Sequence, residues 1–410
     1  MEIVREYVSG LDVHKKSVVA AVITPQGRRV KTFSTTTRAL LELVDWLKAE
    51  GVRHVAMEST GIYWRPIFNL LEQTEMEVLV VNAGHMKQVP GRKTDVKDAE
   101  WIAELLQYGL LKGSFVPHRG QRELRDLLRY RRTLIEQRAD EVKRVQKLLE
   151  GANIKLANVA ADVLGVSGRA MLEGLIEGQQ GTAELAHLAR GRMKSKQRQL
   201  EEALEGSFGP HQRWMLRHHL DLVDFHDGKL KELDAEVAER MRPFLAALNH
   251  IDAIPGLGQQ TAQEIVGEIG TDMSQFPTDR QIASWAKLSP GSNESGGKKR
   301  PGRTGKGGPI RHIMIRAALN VSRNPNSYYG AMYRRLCKRG CKERALVAVA
   351  HALLVAIYHM LRDGTVHQDL GANYFDERRR EQSARNAVRH LQRLGFRVTI
   401  EKEPGQCPAA

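Results

Sequence analysis

Short apolar runs alternate with segments of helical periodicity over the first hundred residues, and this alternation restricts the fold more than any other feature. Residues 18–23 form an apolar run bounded by a Pro25-Gln26-Gly27 turn, as expected of a β-strand. Further strand-like runs near 8–13, 30–37, 54–58 and 77–82 are joined by helical segments near 40–49, 64–72 and 98–108. Strands first, then strands and helices in alternation, predict a mixed sheet flanked by helices.

Leucine-rich heptads replace this pattern between about residues 121 and 150. Apolar residues recur seven apart at Leu128, Ile135, Val142 and Leu149. Such spacing predicts a long helix in a coiled coil, and residues 200–204 and 230–241 offer a second helix as its partner. Basic residues crowd the first helix, so its outer surface is either a solvated charged face or a ridge that follows RNA or DNA.

The composition changes again from residue 254, where a glycine-containing turn leads into a helix. A loop rich in glycine and basic residues spans about 289–308, and helices are expected near 311–320, 344–361 and 377–394, followed by a short terminal strand. We therefore predict three parts: an α/β domain at 1–117, a helical coiled-coil region at 118–248 and an all-α C-terminal domain at 249–410.

The chain carries 63 Lys+Arg against 48 Asp+Glu, a net charge of +15, which favours a polyanionic partner such as nucleic acid. A merely basic soluble protein is the alternative. Three cysteines and a polar N-terminus predict a cytoplasmic protein without a disulfide framework. The longest apolar run, 345–361, is shorter than the ~20 residues of a membrane span, so we expect a buried helix and no membrane.

Four acidic residues stand where catalysis is common in α/β folds. Asp12 and Glu58 end two predicted strands, and Asp95 and Asp98 lie three apart at the start of a predicted helix, on one face. Gathered together, four carboxylates would repel one another unless divalent cations neutralised them. Two such ions can activate a nucleophile and stabilise the leaving oxygen in phosphoryl transfer. Each acid taken alone can equally be structural, Asp98 as a helix N-cap and Glu58 as a surface residue.

Two segments of the C-terminal part are candidates for DNA contact. Residues 254–262 carry Gly256, Gly258 and Thr261 in the pattern of a helix-hairpin-helix turn, whose backbone N–H groups can approach a phosphate. A loop between structural helices is the alternative. The next loop brings serines close to the basic run Lys298-Lys299-Arg300, and by itself it could be a flexible linker.

Three motifs together resemble the DEDD insertion-sequence transposases, relatives of the Piv DNA invertase. They are Gly10-Leu11-Asp12-Val13-His14-Lys15, Met57-Glu58-Ser59-Thr60-Gly61 and Lys93-Thr94-Asp95-Val96-Lys97-Asp98-Ala99. The resemblance implies an RNase H-like, RuvC-like N-terminal domain in which Asp12, Glu58, Asp95 and Asp98 bind metal. The expected cofactor is Mg²⁺, two ions per site, with Mn²⁺ able to substitute.

The same resemblance implies a nucleophilic serine before a basic, glycine-rich stretch. It maps best onto Ser295, with Ser292 as the weaker candidate, because Glu294 stands where relatives often have a second serine. It further implies double-stranded donor and target DNA, dimers that form a tetrameric synapse, and a noncoding bridge RNA. Arg125, Arg129 and Arg132 on the heptad helix are the RNA contacts we predict.

The expected activity is therefore transposition by DNA cleavage and rejoining, with the protein acting at the nucleoid. Two rival hypotheses remain open. A host nuclease of the Holliday-junction type would need the four acids but no serine. A non-catalytic nucleic-acid-binding protein would need only the basic charge.

Overall fold

The computed structural model describes residues 2–82, 95–178, 181–291, 294–295, 297–299, 302, 304–305, 307–378 and 380–399. For residues 95–97, 294–295, 299, 376 and 381–383 it describes the backbone alone. The chain divides into two compact units, unit 1 at Met1–Arg122 and unit 2 at Glu123–Ala410. The division falls within a long helix.

Unit 1 contains a five-stranded sheet and three helices that precede this long helix, within its described part. The strands are β1 (Val8–Val13), β2 (Ser17–Thr24), β3 (Gly27–Ser34), β4 (His54–Glu58) and β5 (Glu77–Val81), and the helices are α1 (Thr37–Ala49), α2 (Trp64–Leu71) and α3 (Asp95–Gln107). The strand order is β3-β2-β1-β4-β5. The strands β1, β2 and β3 pair antiparallel, whereas β1, β4 and β5 are parallel. The predicted mixed sheet is confirmed, and its arrangement fits an RNase H-like α/β domain.

Alternating side chains divide the sheet into two apolar faces, as the period of two along a strand requires. One face, with Leu11 and Met57, belongs to a core that includes α1 and α2. The opposite face, with Val8 and Ala56, packs with the apolar side of α3. Both faces are covered, which explains why the central strands read as continuous apolar runs in the sequence.

Unit 2 is helical apart from a short hairpin, as far as the structure describes it. Its helices are α4 (Arg119–Gly151, which begins in unit 1), α5 (Leu156–Val159), α6 (Val166–Glu177), α7 (Thr182–His187), α8 (Gln197–Leu204), α9 (Pro210–Met241), α10 (Leu245–Asp252), α11 (Gln259–Ile269), α12 (Asp279–Trp285), α13 (Pro309–Ser322), α14 (Tyr328–Cys337), α15 (Lys342–Asp363), α16 (Tyr374–Arg378) and α17 (Arg380–Arg393). The hairpin consists of β6 (Glu294–Ser295) and β7 (Lys298–Lys299).

The two long helices α4 and α9 lie antiparallel within one chain. Arg131 pairs with Asp234 and Arg138 with Asp227, while Glu141 accepts a 2.9 Å hydrogen bond from His219. In these pairs the residue numbers increase along α4 while they decrease along α9, so the two helices run in opposite directions. Of the predicted heptad, Leu128 and Leu149 are buried but Ile135 and Val142 are half-buried. A straight helix drifts by ~20° per heptad, which moves a strict seven-residue row away from the core. A coiled coil remains a prediction.

Several local expectations differ from the structure. The helices α5 to α8 occupy a region where the sequence indicated only residues 200–204, because elements of four to twelve residues provide few helical turns of pattern. The predicted glycine-rich loop contains the β6–β7 hairpin, and α14 was not foreseen. Residues 396–399 form no strand, so the predicted terminal strand is wrong in the part described.

The apolar run at 345–361 lies within α15, as expected. This helix is long and apolar enough to cross a membrane by length and composition alone. Its residues Val349, Leu353 and Ile357 are fully buried within unit 2. Buried core helices share this length and composition, so α15 by itself is weak evidence for a membrane.

Candidate functional site

The carboxyl ends of the parallel strands bring two of the predicted acids together. Strands β1 and β4 pair in parallel with Leu11 opposite Met57. The next position along is Asp12 on β1 and Glu58 on β4. The two carboxylates therefore occupy neighbouring positions at one edge of the sheet, the edge at which open α/β sheets bind ligands.

Both acids also point to one face of the sheet, the face covered by α3. Asp12 shares its side of β1 with Gly10, and Glu58 shares its side of β4 with Ala56, which packs with α3. Gly10 allows an unusually close approach. A Cβ built on it would lie 2.2 Å from the carbonyl oxygen of Ala99 and 2.4 Å from the backbone nitrogen of Ala103.

The direction of α3 places its first residues at the same edge. The carbonyl oxygen of Gln107, the last residue of α3, accepts hydrogen bonds of 3.0 and 3.1 Å from the backbone N–H groups of Val4 and Arg5, which precede β1. The helix therefore runs antiparallel to β1, and it begins beside the carboxyl end of that strand. Its first turn carries Asp95 and Asp98.

Burial differs among these acids. Asp12 is 7% exposed, and its Oδ2 lies 3.0 Å from His14 Nε2, a half-exposed imidazole that can donate to it. Glu58 and Asp98 are half-buried, whereas the side chain of Asp95 lies outside the described residues. Oxygen donors of this kind suit Mg²⁺. Among the described side chains, which include Asp12, Glu58 and Asp98, no three metal-binding residues form a group that could hold a metal ion. The four-acid site therefore remains a prediction.

The glycine turn predicted in the C-terminal part joins α10 to α11. Gly256 has φ +94°, and a Cβ there would lie 2.9 Å from Cα of Val321 on α13, so both backbone shape and packing require glycine. Gly258 is the exposed N-cap of α11, and no side chain caps that helix. The half-buried Thr261 follows in the first turn. The start of α11 therefore keeps unbonded N–H groups of the kind that bind anions. The helix-hairpin-helix assignment remains a prediction.

The serine loop is described only in part. The backbone of Ser295 pairs with that of Lys298 in the β6–β7 hairpin, and Gly297 at the turn has φ +72°. Lys298 is exposed. Ser292, Arg300 and the side chains of Ser295 and Lys299 lie outside the described residues. The structure therefore places the predicted nucleophile on a hairpin strand two residues before Gly297, within a basic segment.

Two of the three arginines predicted to bind RNA form ion pairs with a buried acid. Arg129 makes two hydrogen bonds, of 2.8 and 2.9 Å, to the carboxylate of Glu268 on α11, and Arg125 lies 3.4 Å from the same carboxylate. Glu268 is only 4% exposed. These contacts hold α4 against α11. Arg132 pairs with the exposed Glu136 in the next turn and stays accessible.

Sequence reasoning missed Gly10 and Glu268, although each had some signal. A glycine inside an apolar strand indicates a close backbone approach, which is the role Gly10 has. An acid on the apolar stretch of α11 indicates a buried pair, but its partners are 139 and 143 residues away, so the sequence did not identify them.

Comparison with known proteins gives two family matches. Residues 9–154 match the family DEDD_Tnp_IS110, described as Transposase, and residues 248–334 match the Transposase IS116/IS110/IS902 family. The first match contains all four predicted acids, and the second contains the glycine turn and the serine loop. Together the two matches cover more than half of the chain.

Two individual relatives are similar to this chain. The pilin gene-inverting protein of Moraxella lacunata is 23% identical over 367 residues, which is 86% of this chain and 95% of that protein. The insertion element IS110 uncharacterized 43.6 kDa protein of Streptomyces coelicolor is 28% identical over 123 residues, 29% of each chain. The order of the two matched regions along one chain, on a fold that fits the RNase H-like type, leads to one assignment: the protein belongs to the IS110 family of transposases.

Proposed function

We propose that this protein cleaves and rejoins DNA to move a mobile element, using a metal-dependent carboxylate site and a serine nucleophile. One observation supports the carboxylate site above all others. Asp12 and Glu58 are neighbours on one face at the carboxyl edge of the sheet, and α3 begins at that edge with Asp95 and Asp98 in its first turn. In this proposal the four acids, supplied by three elements, converge on one site, an arrangement that stability alone would not favour since like charges repel.

Asp12, Glu58, Asp95 and Asp98 are the residues that would hold Mg²⁺ or Mn²⁺ in this proposal. When bound, two such ions would lower the cost of negative charge on the attacking and leaving oxygens of a phosphodiester. The protein contributes the placement. Gly10 allows α3 to pack closely against β1, and His14, whose Nε2 lies 3.0 Å from Oδ2 of Asp12, can orient that carboxylate.

Substitution of Asp12 by Asn tests the carboxylate site. The amide keeps the size of the side chain but removes a charged ligand, so we expect DNA cleavage in Mg²⁺ to fall at least about 100-fold. Asp45→Asn, an exposed position on α1, is the matched control and should cleave normally. The readout is formation of new DNA junctions when the chain is expressed with its native flanking sequence, with circular dichroism as the check on folding. Normal junction formation by Asp12→Asn would exclude this site.

Ser295 is the nucleophile we propose for strand joining, supported by its position before the exposed Lys298 and within the second family match. Its Oγ would form a bond to phosphorus while one phosphodiester P–O bond breaks. The hydroxyl proton leaves to a base or to solvent, and the released deoxyribose oxygen is protonated. The phosphoserine linkage then conserves the energy of the broken bond for rejoining.

A trapped protein–DNA adduct separates this proposal from a simple nuclease. Wild-type protein, denatured during the reaction, should carry DNA on Ser295, located by mass spectrometry. Ser295→Ala should lose both the adduct and recombination, while Ser292→Ala should retain both. An adduct at Ser292 would move the assignment within the loop. Recombination without any serine adduct would favour direct transesterification at the carboxylate site, and cutting without rejoining would favour the nuclease hypothesis.

RNA guidance and oligomerisation belong to the same proposal. Arg125 and Arg129 form ion pairs with Glu268. Contact of α4 with a bridge RNA would therefore depend mainly on Arg132 and on exposed basic neighbours such as Lys143 and Lys147. Exposed apolar side chains on α4 and α9, including Tyr130, Trp214 and Phe225, support self-association into the predicted dimers and tetramers. Sequencing of RNA that copurifies with the protein, and sedimentation of the complex, are the direct measurements.

A further inference from the structure

The helices α5 to α8 form a small module that the proposed function leaves unused. The module lies between the two family matches, which end at residue 154 and resume at residue 248. It has its own core, in which Leu172, Leu185 and Leu200 pack with apolar residues from α4 and α9. Packing against α4 and α9 holds the surface of this module in a fixed place.

Charge is unevenly distributed over this module. Residues 156–209 contain six basic and seven acidic residues. Five of the six basic residues fall within nine positions, which we call the basic turn: Arg190, Arg192, Lys194, Lys196 and Arg198. Residues 185–200 contain no acid. A charged face that serves only solubility mixes both signs, whereas this turn concentrates one sign and the remainder of the module carries the other.

All five basic side chains are exposed on a backbone that is well anchored. Ser167 Oγ accepts a 2.9 Å hydrogen bond from the backbone N–H of Arg190, and Lys196 Nζ donates to the carbonyl oxygen of Val159 at 3.2 Å. Met193 packs against the module core, which leaves its neighbours Arg192 and Lys194 facing outward. The backbone of the basic turn is therefore held in place, so binding through its charged side chains costs little backbone entropy.

Intramolecular pairing uses little of this charge. Arg198 lies 3.3 Å from Glu202, but the two side chains are 92% and 65% exposed, so the pair contributes little and opens readily. None of the large apolar side chains that are exposed in the described chain lies between residues 167 and 213. Val166 and Trp214, which flank this range, are exposed, but the basic turn itself is cationic and carries no exposed large apolar side chain. Such a surface suits a polyphosphate better than a membrane or a protein groove.

We propose that the basic turn binds the phosphate backbone of duplex DNA as a sequence-independent clamp, away from the residues that perform the chemistry. This inference rests on the proposed function, because it takes DNA as the substrate. Arg192 and Lys194 lie in a 3-10 helix, Gly191–Lys196, in which residues two apart rise by ~4 Å and start from different faces. Their side chains are long enough to bend toward the phosphates of one duplex. Contacts of this kind position the duplex without reading its bases.

A charge-matched pair of variants tests the clamp in the full-length protein. The test variant combines Arg192→Gln, Lys194→Gln and Arg198→Gln. The control combines Lys229→Gln, Lys231→Gln and Arg242→Gln, exposed cations with acids nearby, such as the Lys229–Glu232 and Arg242–Glu239 pairs. Both remove three positive charges. Affinity for an unrelated duplex of about 30 base pairs is measured by fluorescence anisotropy over a salt series, with an RNA duplex of equal length as the second ligand, since each lost phosphate contact lowers the salt slope by about 0.9.

For the test variant we expect the slope of log affinity against log salt to decrease in magnitude by about 2 to 3 for DNA, with at least about 10-fold weaker binding near 0.1 M salt. The control should change less than about 3-fold. Equal losses in the two variants, no loss in the test variant, or a loss confined to RNA would overturn the clamp.

Cleavage at saturating DNA separates this result from the proposed function. The test variant should still form the serine adduct there, whereas Asp12→Asn should bind DNA normally but fail to cleave.

Discussion

The two units of this protein bury negative charge in different ways. In unit 2, Glu268 is 4% exposed and lies between Arg125 and Arg129, and Glu264, 6% exposed, pairs with Arg316. In unit 1, Asp12 is equally buried, but it is placed beside Glu58 and the acidic first turn of α3. Arginines balance the buried acids Glu264 and Glu268 of unit 2. Under the proposed function, the acids of unit 1 lie near one another because a bound cation balances them.

The same contrast applies to glycine, and it gives the largest effect that we expect on stability. Gly10→Ala should lower the free energy of unfolding of unit 1 by about 3 kcal/mol or more, because the new Cβ meets the α3 backbone and neither partner is a flexible side chain. Denaturant unfolding followed by amide hydrogen exchange measures the stability of unit 1 separately from that of unit 2. The displaced helix should also reduce cleavage, since it carries Asp95 and Asp98.

Gly228→Ala in unit 2 is the matched control. Gly228 lies inside α9, is exposed, and has open space where a Cβ would stand, so the substitution should stabilise the helix by about 0.5 to 1 kcal/mol. If Gly→Ala destabilises the protein at Gly10 but stabilises it at Gly228, then the close contact of Gly10 with α3, and not glycine itself, accounts for the difference. A Gly10→Ala protein as stable as wild type would show that α3 does not lie against β1 as described.

The sequence predicts unit 1 well for a physical reason. Alternating and continuous apolar runs report strands locally, and strand ends in α/β folds are common ligand sites, so the sequence alone predicted that Asp12 and Glu58 could converge. That their strands are parallel neighbours is seen only in the structure. The close contact of Gly10 with α3 could not be derived, because a glycine in a strand indicates an approach but not the element that approaches.

Unit 2 is harder to predict because its decisive contacts are distant in sequence. The heptads reveal that α4 is long and has an apolar side, but they say nothing of Glu268, which pairs with the largely buried Arg125 and the partly exposed Arg129. The prediction that these arginines contact RNA rested on the basic charge of α4 and could not take this pairing into account. The module at 156–204 consists mostly of helices of four to eight residues, too short for a period to emerge.

Neutralising Glu268 tests how unit 2 balances its buried acids. We expect a smaller loss of stability than for Gly10→Ala. Glu268→Gln keeps the shape of the side chain but leaves Arg125 and Arg129 facing a neutral amide at a buried site, so unit 2 should lose about 2 to 4 kcal/mol of stability. Glu232→Gln is the control, since its pair with Lys229 is 69% and 44% exposed and should contribute less than about 1 kcal/mol. Denaturant unfolding gives both values, and hydrogen exchange in unit 1 should be unchanged in either variant. If Glu268→Gln proves no more costly than Glu232→Gln, burial is not what gives the Arg125–Glu268–Arg129 contact its strength. In that case the two arginines would be free to serve RNA, as the sequence first indicated.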